Sequence, residues 1–207
     1  MTRAVFFGAS TVEGTGVTAA ENRFSTLVCR TLGWDEINLG IGGTTMTGRD
    51  EKGMIVEEES GIGRVPDVLQ AKPDWVVILY GANDFGQSKP LGDAECFQQG
   101  TFYWDYDTAL RGMIENLPDA KLLLLTLVYR ADANTPNMLG LTLEDYNEAV
   151  RKLADRYHLR IADAWAGSGV DSRNFPALSA DDAHLNNDGH QRLAAFLIEC
   201  LSTDRCD

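Results

Sequence analysis

Basic residues are scarce in this chain. Eighteen Lys and Arg stand against 31 Asp and Glu, a formal net charge of −13. That balance disfavours nucleic acid, anionic membranes and polyanionic substrates as partners. Long apolar runs are missing too; none approaches the ~20 residues of a membrane span. The N-terminus reads Met1-Thr2-Arg3 and passes directly into a short apolar run. It shows no extended hydrophobic stretch with a small-residue cleavage site, so the expected location is cytoplasmic. The four cysteines, Cys29, Cys96, Cys200 and Cys206, form no C-x-x-C pair. A zinc ribbon or dithiol redox site is thereby disfavoured. Cys29 sits in a helical pattern and reads as a buried apolar filler. Cys200 and Cys206 are close enough to meet, and in the cytoplasm a free pair is expected. Three nucleotide and hydrolase signatures also fail. No Gly-x-x-x-x-Gly-Lys-Ser/Thr occurs, the glycine run from Gly40 carries Thr45 at its sixth position, and Val12 breaks a Gly-x-Ser-x-Gly elbow.

What is present is an ordinary globular composition, 44% apolar and 24% charged over 207 residues. This fits one domain spanning residues 1–207. Apolar β-prone runs at 4–7, 36–39, 74–80, 121–128 and 159–162 read as strands. Helical patterns cover 22–32, 107–116, 143–157 and 188–201. Gly33 ends the first, Pro118 follows the second, and Thr142 with Asp145 opens the third. The alternation predicts an α/β fold, a doubly wound five-stranded parallel sheet with helices on both faces. Two stretches read as long loops. Residues 44–64 carry Glu57-Glu58-Glu59, read as a solvated face. Residues 85–106 carry Phe97, Phe102, Tyr103, Trp104 and Tyr106, which either cover the sheet end or wall a pocket.

Three polar motifs follow or flank these elements. Gly8-Ala9-Ser10 comes at the end of the first strand, where Ser10 is either a turn residue or a nucleophile. Gly81-Ala82-Asn83-Asp84 follows the third strand. The Asn83 amide either closes an Asx turn or stabilises an oxyanion, and Asp84 reads as a loop organiser. Asp181-Asp182-Ala183-His184 precedes the last helix. His158 and His190 lie at the approach to a strand and in a helix, which leaves His184 as the candidate base. Asp181, three residues earlier, can fold back on Nδ1, whereas Asp182 points elsewhere. Such a turn is either a surface feature or a catalytic pair.

Taken together, these residues resemble the SGNH hydrolases, the GDSL-like esterases and lipases. Gly8-Ala9-Ser10 is similar to the first sequence block of that family. Asn38-Leu39-Gly40-Ile41-Gly42-Gly43 resembles the second, Gly81-Ala82-Asn83-Asp84 the third, and Asp181-x-x-His184 with Asn186 and Gly189 the last. The blocks keep the family's order across nearly the whole chain. The resemblance implies a flavodoxin-like SGNH hydrolase fold. It further implies a Ser10–His184–Asp181 triad and an oxyanion hole of Ser10, Gly43 and Asn83, with no metal or cofactor. Two positions depart from the family pattern. Ala9 replaces the usual aspartate, removing a polar hold on the Ser10 loop, and Leu185 replaces a frequent proline.

The substrate expected is a small acyl ester, such as O-acetyl on a carbohydrate or small alcohol. The loop after Asn83 starts beside the oxyanion site, so Phe85, Phe102 and Trp104 are expected to border substrate. An acyltransferase or thioesterase on the same site, and a non-catalytic ligand-binding module on the same scaffold, are the competing readings.

Overall fold

The computed structural model describes residues 1–50, 52–96 and 98–203. Phe97 and Cys206 lie outside the described residues. Strand β1 (Arg3–Gly8) runs into the single-turn helix α1 (Ser10–Glu13), then α2 (Phe24–Leu32). After β2 (Asp35–Gly40) a long irregular segment leads to α3 (Val65–Ala71). β3 (Trp75–Leu79) is followed by α4 (Ala82–Gly86) and α5 (Phe102–Asn116). β4 (Lys121–Leu125), α6 (Leu143–Tyr157) and β5 (Arg160–Ala162) come next. The short helices α7 (Ala164–Gly167) and α8 (Phe175–Leu178) precede α9 (Asn187–Ser202).

The strands are all parallel, in the order β2-β1-β3-β4-β5. This is the expected doubly wound α/β sheet. β1, β3 and β4 read as near-continuous apolar runs because both faces are covered, whereas the edge strand β2 is polar at Asp35, Glu36 and Asn38 and only partly buried. All of β3 is buried, as are Phe6 and Phe7 of β1 and Leu122, Leu123, Leu124 and Leu125 of β4. Helix α2 packs on α9, and α5 packs on α3 and on α6. The chain leaves β1 toward β2 and then crosses back to β3, so the crevice at the ends of β1 and β3 is the topological switch point. Gly8 pairs with Gly40 on one side and Leu79 on the other. Three strands therefore end level, and the loops that follow start from one height.

Several boundaries differ from the sequence expectation. Helix α5 begins at Phe102, not residue 107. Thr101 caps it by accepting from Trp104 N–H at 3.4 Å. Phe102, Tyr106, Leu110 and Met113 form a fully buried stripe at helical spacing. Aromatic and aspartate residues have modest helix propensity, and burial overrides it here. The fourth strand stops at Leu125, so Leu127 and Val128 belong to the irregular segment beyond it. Helix α3 was not foreseen, although Pro66 in its first turn is a start signal. Thr142 and Asp145 do form a capping box on α6. Cys29 is buried and its thiol is pushed up to about 12 by burial. Cys200 is disulfide-bonded rather than free, which corrects that expectation. Among the described residues, no helix is long and apolar enough to cross a membrane.

Candidate active site

Ser10 opens α1 directly after β1. Glycine at position 8 is required by the tight strand-to-helix turn, because a Cβ there would collide with Val12 and the Leu79 carbonyl. Ala9 is the N-cap and offers no side-chain hydrogen bond to the helix. The polar hold that an aspartate would supply at this position is absent.

His184 is delivered from the opposite end of the chain. Ser179 and Leu185 form an antiparallel bridge, and Ala180 N–H donates to His184 O at 2.9 Å, closing a tight turn. Inside it, Asp181 Oδ1 accepts from the backbone N–H groups of Ala183 and His184, both at 2.7 Å. The carboxylate lies 2.9 Å (Oδ2) and 3.1 Å (Oδ1) from His184 Nδ1. The imidazole hydrogen bond, with help from the two backbone N–H groups, holds the Asp181 carboxyl down at about 2. A carboxylate at Nδ1 selects the Nδ1–H tautomer, leaving Nε2 as an acceptor. Nε2 stands 3.1 Å from Ser10 Oγ. Asp182 takes no part in this line; it is exposed, and its carbonyl accepts from Ala131 N–H at 3.0 Å. Asn186 anchors the turn. Its Oδ1 caps α9 through Asp188 and Gly189 N–H, and its Nδ2 donates to the Ala177 and Ser179 carbonyls. Leu185 is buried, so the apolar residue standing where proline is frequent packs the turn onto the core.

The loops after β2 and β3 are tied together. Gly43 has φ +79°, the left-handed region that favours glycine. Asn83 Nδ2 donates to Thr44 O at 2.8 Å, and Gln87 Nε2 donates to Gly43 O at 3.1 Å. Among the described residues, the Asn83 amide NH2 makes this one hydrogen bond of the two it can donate. Asp84 organises the loop, as its position suggested. Its two oxygens accept from Met46 and Thr47 N–H, both at 2.9 Å. Asp105 of α5 continues the pattern by accepting from Gly48 and Arg49 N–H at 2.8 and 3.1 Å. Burial pushes Asp84 up to about 6 against the pull of these N–H groups, and Asp105 shifts upward for the same reason.

Beside Ser10 is a cavity of about 30 Å3, lined in part by Tyr80, Gly81, Leu127, Val128 and Ala183. Past Gly43 lies an open groove of about 390 Å3 with Glu57, Glu58 and Glu59 along it. Among the described residues, no cluster of three or more His, Cys, Asp or Glu is arranged to hold a metal ion.

The sequence profile of the GDSL-like Lipase/Acylhydrolase family matches residues 6–192. The chain belongs to this family. It is 30% identical over 190 residues to an acetylxylan esterase of Geobacillus stearothermophilus, covering 90% of this chain and 81% of that protein. Its fold is similar to that of a lipase/acylhydrolase from Enterococcus faecalis, with TM-score 0.70, 23% identity, and 97% and 95% of the two chains covered. A two-domain esterase active on acetylated mannans is also similar, with TM-score 0.71 and 21% identity over 97% of this chain and 48% of that one. At those identities the structural likeness concerns the fold alone. The family and the acetylxylan esterase relative make this protein a GDSL-like esterase.

In this GDSL-like esterase, Ser10, His184 and Asp181 come together in one hydrogen-bonded line. Gly43 and Asn83 are joined to each other through Thr44 and Gln87. The expected aromatic walls are a different matter. Phe85 and Phe102 are buried against Tyr146, with ring centroids 6.0 and 5.3 Å away, and neither lines the cavity beside Ser10. Phe102 stands one layer back, behind Gly81. Trp104 is half-buried on α5 and is likewise absent from the cavity wall. Helical geometry explains the correction for the two phenylalanines: α4 and α5 turn the Phe85 and Phe102 rings toward Tyr146 of α6. The cavity is bordered instead by Leu127 and Val128, whose apolar pattern reads as a continuation of the fourth strand. Arg64, whose contacts span all three strand-end loops, carried no motif signal.

Proposed function

We propose that this GDSL-like esterase hydrolyses short-chain acyl esters, with O-acetyl groups on carbohydrates or small alcohols as its substrate class. Ser10 Oγ attacks the ester carbonyl as His184 Nε2 takes its proton. Asp181 keeps the imidazole oriented and stabilises the imidazolium. The carbonyl π electrons move onto oxygen, and the oxyanion is held by the Ser10 N–H, the Gly43 N–H and the free N–H of Asn83. Each such donor contributes roughly 3 kcal/mol. Collapse of the tetrahedral adduct breaks the bond to the alcohol oxygen, which leaves with the proton from His184. Water, deprotonated by His184, then attacks the acetyl-Ser10 ester and regenerates Ser10.

The observation that carries this reading is the 3.1 Å contact of Ser10 Oγ with a histidine already paired to a carboxylate. The cavity of about 30 Å3 next to Ser10 supports a small acyl group. A buried water needs roughly 15 Å3, so the cavity has room for an acetyl methyl. The open polar groove past Gly43 suits a hydroxyl-rich leaving group. The 30% identical acetylxylan esterase relative supports the same class. The test is a hydrolysis series of p-nitrophenyl acetate, butyrate and octanoate alongside acetylated xylo-oligosaccharides. A kcat/KM that falls steeply beyond acetate, with acetate release from the sugars, is the expected result. A maximum at octanoate contradicts it.

A further inference from the structure

Arg64 is a buried cation in an unusual setting. It is 7% exposed and immediately precedes α3. Among the described residues it forms no ion pair with a carboxylate. Its guanidinium is satisfied by neutral oxygens. Nη1 donates to Leu39 O at 3.0 Å and Nε to Glu59 O at 3.0 Å. Nη2 donates to Gly8 O at 3.4 Å and to the Tyr80 hydroxyl. Its flat face stands 5.2 Å from the centre of the Phe7 ring. Burying an unneutralised charge is costly, and the chain's acidic surplus makes an available carboxylate easy to supply.

The acceptors give the arrangement its meaning. Gly8 lies two residues before Ser10, Leu39 four before Gly43, and Tyr80 three before Asn83. The Tyr80 hydroxyl also meets the Thr44 side chain, and Thr44 O receives the Asn83 amide. One guanidinium therefore touches each of the three strand ends that carry the proposed oxyanion donors. Ala9 leaves the Ser10 loop without a side-chain cap, so the hold on that loop comes from beneath.

We infer that Arg64 is the positioning residue of the oxyanion site. Its rigid fork fixes the three loops relative to one another, and its charge lies under the region where negative charge develops. A lysine has the charge but not the fork. This inference rests on the Ser10 reading above, and the experiment separates the two.

Arg64→Lys, Arg64→Met, Tyr80→Phe and Ser10→Ala are compared with the parent on p-nitrophenyl acetate. Active sites are titrated with a fluorophosphonate, so that turnover is expressed per competent site. Affinity for an alkylboronic acid, which forms a tetrahedral anion on serine, is measured in parallel. A loop misplacement of about 1 Å costs on the order of 100-fold. The expected result is a roughly 100-fold lower kcat per titrated site in Arg64→Met and at least a tenfold loss in Arg64→Lys, on the same scale as loss of an oxyanion donor. KM should change little, and boronate affinity should fall in step with kcat/KM. A purely structural role lowers the titrated fraction and leaves turnover per site intact; that result overturns the inference. Should neither Arg64 variant fold, Tyr80→Phe decides. A fivefold or greater loss of kcat per site supports the inference and parent-like turnover refutes it. Activity retained by Ser10→Ala refutes the Ser10 reading whatever the Arg64 variants do.

Discussion

Replacing Asp181 by Asn keeps the turn and removes the charge. Asn Oδ1 can still accept the Ala183 and His184 N–H groups that now bond Oδ1 at 2.7 Å. The amide NH2 would then face His184 Nδ1, where the carboxylate sits at 2.9 Å. Nδ1 becomes the acceptor, Nε2 carries the proton, and Ser10 loses its base. The lost stabilisation of the imidazolium can be sized by Coulomb's law. Two unit charges about 4 Å apart interact by about 1 kcal/mol in water and about 4 kcal/mol at an effective dielectric of 20. The Asp181 side chain is 54% exposed and that of His184 25%, so the value lies between those limits. At roughly 1.4 kcal/mol per factor of ten, Asp181→Asn lowers kcat by about 5- to 700-fold. Asp182→Asn, at an exposed side chain outside the line, changes kcat less than about threefold, as surface substitutions do. Steady-state hydrolysis of p-nitrophenyl acetate at pH 7 to 8 measures both. Equal losses, or a larger loss at Asp182, would refute the assignment of the acid. The Asp181 carboxyl is held at about 2, so activity lost on acidification above pH 4 must come from another group.

Leu127→Ala and Val128→Ala should each raise the butyrate-to-acetate ratio of kcat/KM by roughly tenfold, the scale of a methylene in an apolar pocket; an unchanged ratio in both places the acyl group elsewhere. Phe102→Ala should cost about 3–5 kcal/mol in urea unfolding with an unchanged chain-length profile, because it opens a core cavity. A shifted profile at parent stability would restore Phe102 to the substrate wall. Asp84 sets a pH dependence of stability. Its folded carboxyl binds a proton more tightly than the unfolded one, about 6 against 3.8. The stabilisation it lends is therefore full below pH 3.8 and is lost as pH rises through about 6, an interval worth roughly 3 kcal/mol. Urea unfolding between pH 4 and 7 should show that decline in the parent and a flatter profile in Asp84→Asn. Parallel profiles would show that Asp84 does not titrate there.

The fold was legible because the central strands β1, β3 and β4 are near-continuous apolar runs and four helices, α2, α5, α6 and α9, carry clear spacing or caps. Helix α3 is short, and its start lies in a glycine-rich stretch. The beginning of α5 was hidden by aromatic and acidic residues that are poor local helix signals, although Phe102, Tyr106, Leu110 and Met113 share one face. The site was legible where chemistry is concentrated in short motifs at strand ends. Spacing alone did not suffice: Asp155 and His158 repeat the Asp-x-x-His interval, yet they end α6, with His158 as its left-handed C-cap. Only the turn after α8 brings such a pair to Ser10. Cavity walls and the Arg64 contacts were not legible. Leu127 and Val128 look like strand residues, and a lone arginine in a loop reads as surface until its acceptors are known.

The central claim is that Ser10 is the nucleophile. The most direct measurement is intact-protein and peptide mass spectrometry after treatment with a fluorophosphonate, run beside acetyl ester hydrolysis by the parent and Ser10→Ala. The account predicts one adduct, on Ser10, with hydrolysis abolished in the variant and its circular dichroism unchanged. An adduct on another residue, or a folded Ser10→Ala that turns over acetyl ester at the parent rate, would contradict it.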